Sequence, residues 1–326
     1  LHCAAESNNP DSITVILALY PESEHLHVVN TQGRFGTVLH AAAQSNNPES
    51  LKTVILLYPE SERLQAVRMP DREGWTVLHC AAKSGRIEAM EIILALYPES
   101  ERLTALNTPG QYEKTVLNCA VYSNKIECIK AVLSHYPESE RLLAARMTDD
   151  EGWTALHWAA YFNNFEAIVT LLALYPESER LQALTLGTRI GDTMFHLAAR
   201  SGKIECLKAI LTLCPESQRL HLVSMPDSDG ETSLHRVASL GKFESIETML
   251  VAFPESERLQ ALNTTNRHGA TVLHRVASSN NIECIKAVLS LFPESQRRQA
   301  LDKRDSDEGT VLDDMNEETR KSIMDW

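Results

Sequence analysis

The sequence lacks any long apolar run and carries fewer basic than acidic residues. No stretch approaches the roughly 18 apolar residues that a membrane-spanning helix needs, so we expect no membrane insertion. The 31 Lys and Arg residues stand against 44 Asp and Glu, a formal net charge of −13. Because binding to a phosphate backbone depends on clustered Lys and Arg, we also expect no nucleic-acid partner.

Motifs of catalysis and of metal or cofactor binding are absent as well. The sequence contains no GxSxG, HExxH or GxGxxG, so it predicts no enzyme and no cofactor. The 7 cysteines are odd in number and never form CxxC. They fall in apolar segments, which is typical of reduced core residues in a cytoplasmic protein. Cys128, Cys206 and Cys284 share one position in segments 78 residues apart, so we expect core packing rather than disulfides.

What the sequence does contain is a repeat. The proline of a PES triplet recurs with one step of 38 and six of 39, at Pro21, Pro59, Pro98, Pro137, Pro176, Pro215, Pro254 and Pro293. An LH dipeptide or its variant keeps the same period, at His40, His79, Asn118, His157, His196, His235 and His274. A fixed period of this length is the pattern of a repeat array.

Each unit predicts three helices. TVLHCAAKSG and IEAMEIILALY have apolar residues at helical spacing, and the position between them holds only residues that tolerate a positive φ. These are Asn8, Asn46, Gly85, Asn124, Asn163, Gly202, Gly241 and Asn280. The proline should end the second helix near Tyr175 and occupy the first position of a third helix, PESERLQAL. A single long helix kinked at the proline is the alternative.

Turn residues follow the third helix, as in MPDREGW and MPDSDGE. Glycine stands two residues before the next repeat's threonine, with Glu113 as the exception, at Gly74, Gly152, Gly191, Gly230 and Gly269. This predicts a projecting hairpin or turn. The aspartates do not follow the calcium-loop pattern, because the sixth position from Asp227 is Thr232 and the twelfth is Ala238.

TVLHCAAKSGRIEAMEIIL resembles the ankyrin repeat, whose pattern is TPLHxAA, a glycine turn and an apolar outer helix. Ankyrin units have about 33 residues, so the extra residues of this period fall on the PESERL segment. The resemblance implies an all-α ankyrin-type solenoid of about eight units with a polar C-terminal cap. We expect one domain over 1–326, with repeats 1–36, 37–75, 76–114, 115–153, 154–192, 193–231, 232–270 and 271–309 and a cap at 310–326. Its start inside a motif looks truncated.

The recurring histidine predicts a structural role. Successive members should lie about 10 Å apart, whereas zinc ligands must all come within about 2.1 Å of one ion. We therefore expect no shared metal, but a ring hydrogen-bonded to turn backbone at the base of the hairpin.

Binding residues are expected on the exposed side of the first helices. The position after the AA pair holds Gln44, Lys83, Tyr122, Tyr161, Arg200, Ser239 and Ser278. Aromatics interrupt this pattern, and they predict a partner-binding patch formed by Tyr122, Trp153, Trp158, Tyr161 and Phe162. Phe165 replaces an isoleucine of the other repeats and is expected in the core. Local repacking among large neighbours is the alternative interpretation of the patch.

A basic stripe is the second candidate surface. It comprises Arg200, Lys203, Arg236, Lys242, Arg275 and Arg267. An acidic or phosphorylated segment of a protein partner would suit it. The alternatives are solvated side chains and pairing with nearby glutamates.

The resemblance implies a protein–protein interaction scaffold that binds its partner with the concave face and hairpin tips. A second interpretation is a substrate-targeting arm of a larger enzyme whose catalytic domain lies outside this chain. The style of the repeats is also similar, more weakly, to effectors of intracellular bacteria, which would place the protein in the host cytoplasm.

Overall fold

A computed structural model describes residues 1–7, 9–34, 36–202 and 204–326, and their contacts separate two compact units, Leu1–Ala159 and Ala160–Trp326. The described residues form 25 α-helices and no β-strand, as an all-α fold requires. The first unit contains α1 (His2–Glu6), α2 (Asp11–Leu17), α3 (His25–Val29), α4 (Val38–Gln44), α5 (Pro48–Leu56), α6 (Glu60–Arg68), α7 (Val77–Lys83), α8 (Ile87–Ala95), α9 (Glu99–Asn107), α10 (Val116–Tyr122), α11 (Ile126–Ser134) and α12 (Glu138–Arg146).

The helix α13 (Ala155–Tyr161) contains the boundary between the units. The second unit continues with α14 (Phe165–Leu172), α15 (Glu177–Thr185), α16 (Met194–Ser201), α17 (Ile204–Leu213), α18 (Glu216–Ser224), α19 (Ser233–Ala238), α20 (Phe243–Leu250), α21 (Glu255–Asn263), α22 (Val272–Ser278), α23 (Ile282–Ser290), α24 (Glu294–Leu301) and α25 (Glu317–Met324). None of the helices in the described ranges has both the length and the apolar character needed to cross a membrane.

The first helix of each repeat is buried on nearly every side. In α7, the six residues from Val77 to Ala82 are all buried. The reason is that α7 packs against α4 before it, α10 after it and its own second helix α8. In the second unit, α19 lies in the same way between α16 and α22. Stacked first helices are therefore the core of each unit.

The tight turn after the first helix has the expected left-handed backbone in six repeats. Its φ values lie between 54° and 66° at Gly85, Asn124, Asn163, Gly202, Gly241 and Asn280. The prediction is wrong for Asn46, which has no positive φ. There the helix ends at Gln44, the position equivalent to Lys83 in α7, but Ser45 is extended where Ser84 is helical, and the Ser45 hydroxyl donates to the Asn47 carbonyl. Asn8 lies outside the described residues.

The second and third helices are separate helices with the proline between them, and they do not form one long helix kinked at the proline. In the fifth repeat α14 ends at Leu172, three residues earlier than expected, and Pro176 has an extended ψ of 145°. The proline lies just before the third helix, not at its first position as predicted. Its missing N–H costs nothing there, because the first amides of a helix have no intrahelical partner.

The third helix joins consecutive repeats. α15 buries Ala183 and Leu184 and contacts α16, the first helix of the next repeat. α6, α9, α18 and α21 contact the following first helix in the same way. Burying one leucine contributes about 1.5–3 kcal/mol, which offsets the marginal stability of a nine-residue helix.

The arginine of the PESER motif explains why this motif recurs. Its Nε–H donates to a carbonyl at the end of the preceding second helix, for example from Arg102 to the Leu94 oxygen at 3.1 Å. Arg219 and Arg258 make the equivalent bonds, to the Leu211 and Leu250 carbonyls. In the other repeats the arginine donates instead to the carbonyl of the residue just before the proline, as from Arg63, Arg141, Arg180 and Arg297. A cation at a helix C-terminus also opposes the negative end of its dipole.

Five of the hairpins after the third helices are closed by an acidic or amide side chain, at Asp71, Asp149, Asp227, Asn266 and Asp305. Asp227 Oδ1 accepts from the amides of Asp229 and Glu231, and isolated bridges such as Pro226 with Thr232 close the loop. The five glycines expected here have φ from 73° to 91°. Glu113 and Glu308 take the same left-handed conformation, with φ of 58° and 64°, although they are not glycine.

Two core predictions need correction. Six cysteines are buried as expected, including Cys128, Cys206 and Cys284, but Cys3 in α1 is exposed. Phe165 is 44% exposed and not part of the core. It is the first residue of α14, a position that is only half-buried in the other repeats too.

Candidate protein-binding surface

The threonine and histidine of the TxLH motif cap the N-terminus of the first helix. In the third repeat, the His79 Nδ1 lies 2.8 Å from the Thr76 hydroxyl, and Nε2 lies 3.2 Å from the Lys114 carbonyl. Since a carbonyl only accepts, Nε2 carries the hydrogen and Nδ1 is the acceptor. Bonds from Nε2 to turn backbone confirm the predicted structural role for His40, His79, His196 and His235, and capping of the histidine's own helix is an additional role. The prediction is not met at His274, whose Nε2 has no partner among the described residues.

Burial keeps these rings neutral. It lowers the pKa of His79 to about 4, against the smaller opposing effect of its hydrogen bonds to backbone carbonyls. The pKa of His40, His196, His235 and His274 is also lowered, in each case chiefly by burial.

Asn118 is the departure from this pattern. Its backbone N–H donates to the Thr115 hydroxyl, but its side chain has no hydrogen-bond partner among the described residues, at either Oδ1 or Nδ2. It is only 2% exposed. The amide is shorter than an imidazole ring, and Asn118 borders a small cavity.

The column of residues that ends the first helices is exposed, as the sequence predicts. Lys83, Tyr122, Tyr161, Arg200, Ser239 and Ser278 are exposed, and Gln44 is partly buried. We call this set the exposed column. Tyr122 in the first unit is 47% exposed, and Tyr161 in the second is 39% exposed.

Three of the predicted patch residues belong to the first unit. The rings of Trp153 and Trp158 lie 4.5 Å apart, and the Trp158 Nε1–H donates to Asp149 Oδ2 at 2.9 Å. Both tryptophans are partly buried. Packing between large neighbours, the alternative interpretation, therefore describes this tryptophan pair, whereas Tyr122 presents its ring to solvent.

Lysines lie over the aromatic rings of the first unit. The Lys83 ammonium is 5.1 Å from the Trp75 ring centroid and 5.2 Å from that of Tyr122. Lys114 lies 4.3 Å from the Trp158 centroid and 5.4 Å from that of Tyr112. Such cation–π contacts contribute about 0.5–1 kcal/mol each at exposed sites. Sequence reasoning missed this cluster, although Trp75 and Lys114 share a repeat position with Trp153.

The other two patch residues belong to the second unit. The rings of Tyr161 and Phe162 meet edge to face at 5.2 Å, and the Arg200 guanidinium lies 5.9 Å from the Tyr161 centroid. Tyr161 and Arg200 therefore form a small exposed site of their own. That the five aromatics act as one partner-binding patch stays a prediction.

The basic stripe is largely paired with buried acids. Arg236 binds Asp227 and Glu231, and it lies 3.8 Å from Asp192. Arg275 pairs with Glu231, and Arg200 lies 3.7 Å from Asp192. This is the pairing that the sequence left open as an alternative. The stripe's role in partner binding stays a prediction; Lys242 and Arg267 are exposed, and Lys203 lies outside the described residues.

Asp192 is the most deeply buried of these acids, with 1% exposure. Burial raises the pKa of its carboxyl group, while the Arg236 charge opposes that rise. Across the described ranges, no three His, Cys, Asp or Glu side chains converge in an arrangement that could hold a metal ion.

Comparison with known proteins places these observations in a family. A family model described as ankyrin repeats (3 copies) matches residues 1–102, 96–182 and 195–299. The crystal structure of the human ASB11 ankyrin repeat domain is similar in fold, with a TM-score of 0.58 and 17% identity. The match covers 76% of this chain and 96% of that domain. No curated protein matches the sequence.

Proposed function

Because the chain belongs to the ankyrin-repeat family, we propose that it is a protein–protein interaction scaffold that binds its partner through the exposed column and the adjoining hairpin tips. Ankyrin repeats generally mediate binding between proteins. Repeat arrays present ligands with the surface formed by equivalent positions of successive units. We propose a role in binding rather than in catalysis.

The observation that carries this proposal is the exposure of large aromatic side chains at positions that are polar in other repeats. Tyr122 and Tyr161 stand where other repeats have serine, lysine, arginine or glutamine. Aromatic residues combine apolar area with few rotatable bonds, and they are enriched among interface hot spots. Trp153, Trp158, Phe162, Arg200, Arg236 and Arg275 complete the set of proposed contact residues.

The finer features of the function stay predictions. They include one array over the whole chain with its eight repeats and cap, an acidic or phosphorylated segment on the partner, and a cytoplasmic location. Delivery as a bacterial effector and the role of a targeting arm in a longer enzyme are predictions of the same kind.

Partner capture with single-residue variants tests the proposed surface. Immobilised chain would be incubated with cytosol, and bound proteins would be quantified by mass spectrometry for the wild type and for Tyr122→Ala and Tyr161→Ala. Loss of a hot-spot side chain costs about 2 kcal/mol, so the amount of a specific partner should fall roughly tenfold or more.

The matched control is Leu143→Ala. Leu143 is 65% exposed on the third helix α12, away from the exposed column, and its truncation should leave capture unchanged. Equal capture by the wild type and both tyrosine variants would show that the exposed column is not the binding surface.

A further inference from the structure

A small cavity lies in the first unit beside Asn118, the residue that replaces the recurring histidine. Its volume is about 30 Å³, and its walls include Trp75, Lys83, Lys114, Asn118, Tyr122 and Trp158. A water molecule needs roughly 10–15 Å³ measured in this way, so the cavity has room for about two oxygen-sized atoms.

Asn118 supplies the buried polar group of this cavity. Its side chain is 2% exposed, and within the described residues its amide hydrogens and carbonyl oxygen have no partner. A buried amide without hydrogen bonds is destabilising, so an unpaired one inside a cavity indicates a ligand or an ordered water.

The charged side chains that line the cavity are Lys83 and Lys114, and the Asp149 carboxylate behind Trp158 interacts electrostatically with Lys114. In the described part of the chain Lys83 and Lys114 contact aromatic rings, and neither forms an ion pair with a carboxylate. This contrasts with Arg236 and Arg275 of the second unit, whose charges are met by Asp227 and Glu231. The ammonium groups therefore keep N–H donors for an incoming anion.

Hydrogen bonds position the two indole rings in the wall of the cavity. The Trp75 Nε1–H donates to Gln111 Oε1 and the Trp158 Nε1–H to Asp149 Oδ2, both at 2.9 Å. These bonds hold the two indole rings in place, so binding would lose little side-chain entropy.

We propose that this cavity, between the first helices α7 and α10, is a subsite for the carboxylate of an aspartate or glutamate side chain on the partner. Two carboxylate oxygens match the available volume. One would accept from the Asn118 Nδ2–H, and both would lie near the lysine ammonium groups. The subsite rests on the proposed function, since it presupposes a protein partner and specifies where one of its acidic side chains binds.

A small-molecule titration tests the subsite without knowing the partner. The probe is N-acetyl-glutamate amide, and N-acetyl-glutamine amide is the uncharged control at the same ionic strength. The readout is the indole N–H signals of ¹⁵N-labelled protein. We expect saturable shifts at Trp75 and Trp158 with glutamate, at a dissociation constant on the order of millimolar, and none with glutamine. Trp326, at the other end of the chain, should not respond.

The variant Asn118→His separates binding from folding. An imidazole at this position restores the pattern of the other repeats and fills the cavity, so the variant should unfold at a higher temperature while its response to glutamate falls at least tenfold. A Lys83→Met, Lys114→Met double variant should also lose the response.

Three outcomes overturn the subsite. They are equal shifts with glutamine, no saturable shift with glutamate up to about 100 mM, and a stronger response to N-acetyl-phosphoserine amide, which would indicate a phosphate site instead. Partner capture through Tyr161 is measured independently. The proposed function can therefore stand when the subsite fails.

Discussion

The buried His79 makes stability depend on pH. Its pKa is about 4 in the folded state and 6.5 as the ordinary value, so between these pH values the unfolded chain binds more protons. The contribution of the neutral ring is complete above pH 6.5 and is lost as pH falls towards 4. At about 1.4 kcal/mol per pKa unit, this amounts to roughly 3 kcal/mol.

Urea denaturation at several pH values between 7.5 and 4.5 measures this effect. The variant His79→Asn, which copies the chain's own residue at position 118, should be less stable at pH 7.5 and should lose less stability on acidification. An unchanged dependence on pH would mean that His79 is not among the groups responsible.

The left-handed backbone conformation of Glu113 is unfavourable in free energy for a residue with a side chain. A residue with a Cβ pays about 1–2 kcal/mol in this conformation, and glycine avoids it at an entropic cost of about 0.5–1 kcal/mol. Glu113→Gly should therefore stabilise the first unit by up to about 1 kcal/mol, seen as a higher midpoint in thermal unfolding. Glu113→Ala removes the carboxylate but keeps the Cβ, so the same gain in this variant would refute the backbone explanation.

At the level of elements, the PESER segment ties the second helix to the third. The Arg102 Nε–H ends α8 by donating to the Leu94 carbonyl, while Leu106 of α9 is buried, and α9 contacts α10. One side chain thus links the third helix to the end of the second.

Removing this bond should destabilise the repeat. Arg102→Ala is expected to lower the free energy of unfolding by about 1–2 kcal/mol, since a charged donor is lost and a helix-end carbonyl is left to solvent. Arg72→Ala, at an exposed arginine of a hairpin, is the control in the same urea measurement. Equal losses in both variants would argue against a specific role of the PESER arginine.

At the scale of the whole molecule, the net negative charge disfavours binding to nucleic acid. The net charge is −13, and several basic groups, such as Arg236 and Lys114, are paired with acids or lie over aromatic rings. We expect no binding to a fluorescent 20-base-pair DNA duplex at physiological ionic strength, measured by anisotropy. A saturable signal below about 100 µM would contradict this expectation.

The helices were predictable because their causes are local. Thr76 and His79 cap one helix, Gly85 reverses the chain, and Pro98 separates two helices, all through residues close in sequence. The exceptions depended on neighbours: Asn46 has no positive φ beside the extended Ser45, and the exposure of Phe165 depends on what packs beside it. For the contact residues, the sequence predicted only a shared repeat position. The repeat period does not show which side chains pair with one another.

The sequence by itself determined the repeat, its three helices and its hairpins, since capping, proline geometry and apolar spacing act over a few residues. Only the tertiary structure decided which charged side chains are paired within the protein and which remain for binding a partner. It paired Arg236 with acids from neighbouring loops, placed Lys83 and Lys114 over aromatic rings, and gave the Asn118 amide no partner among the described residues. These contacts join residues up to about one repeat apart, where burial and distance, and not residue type, set the outcome.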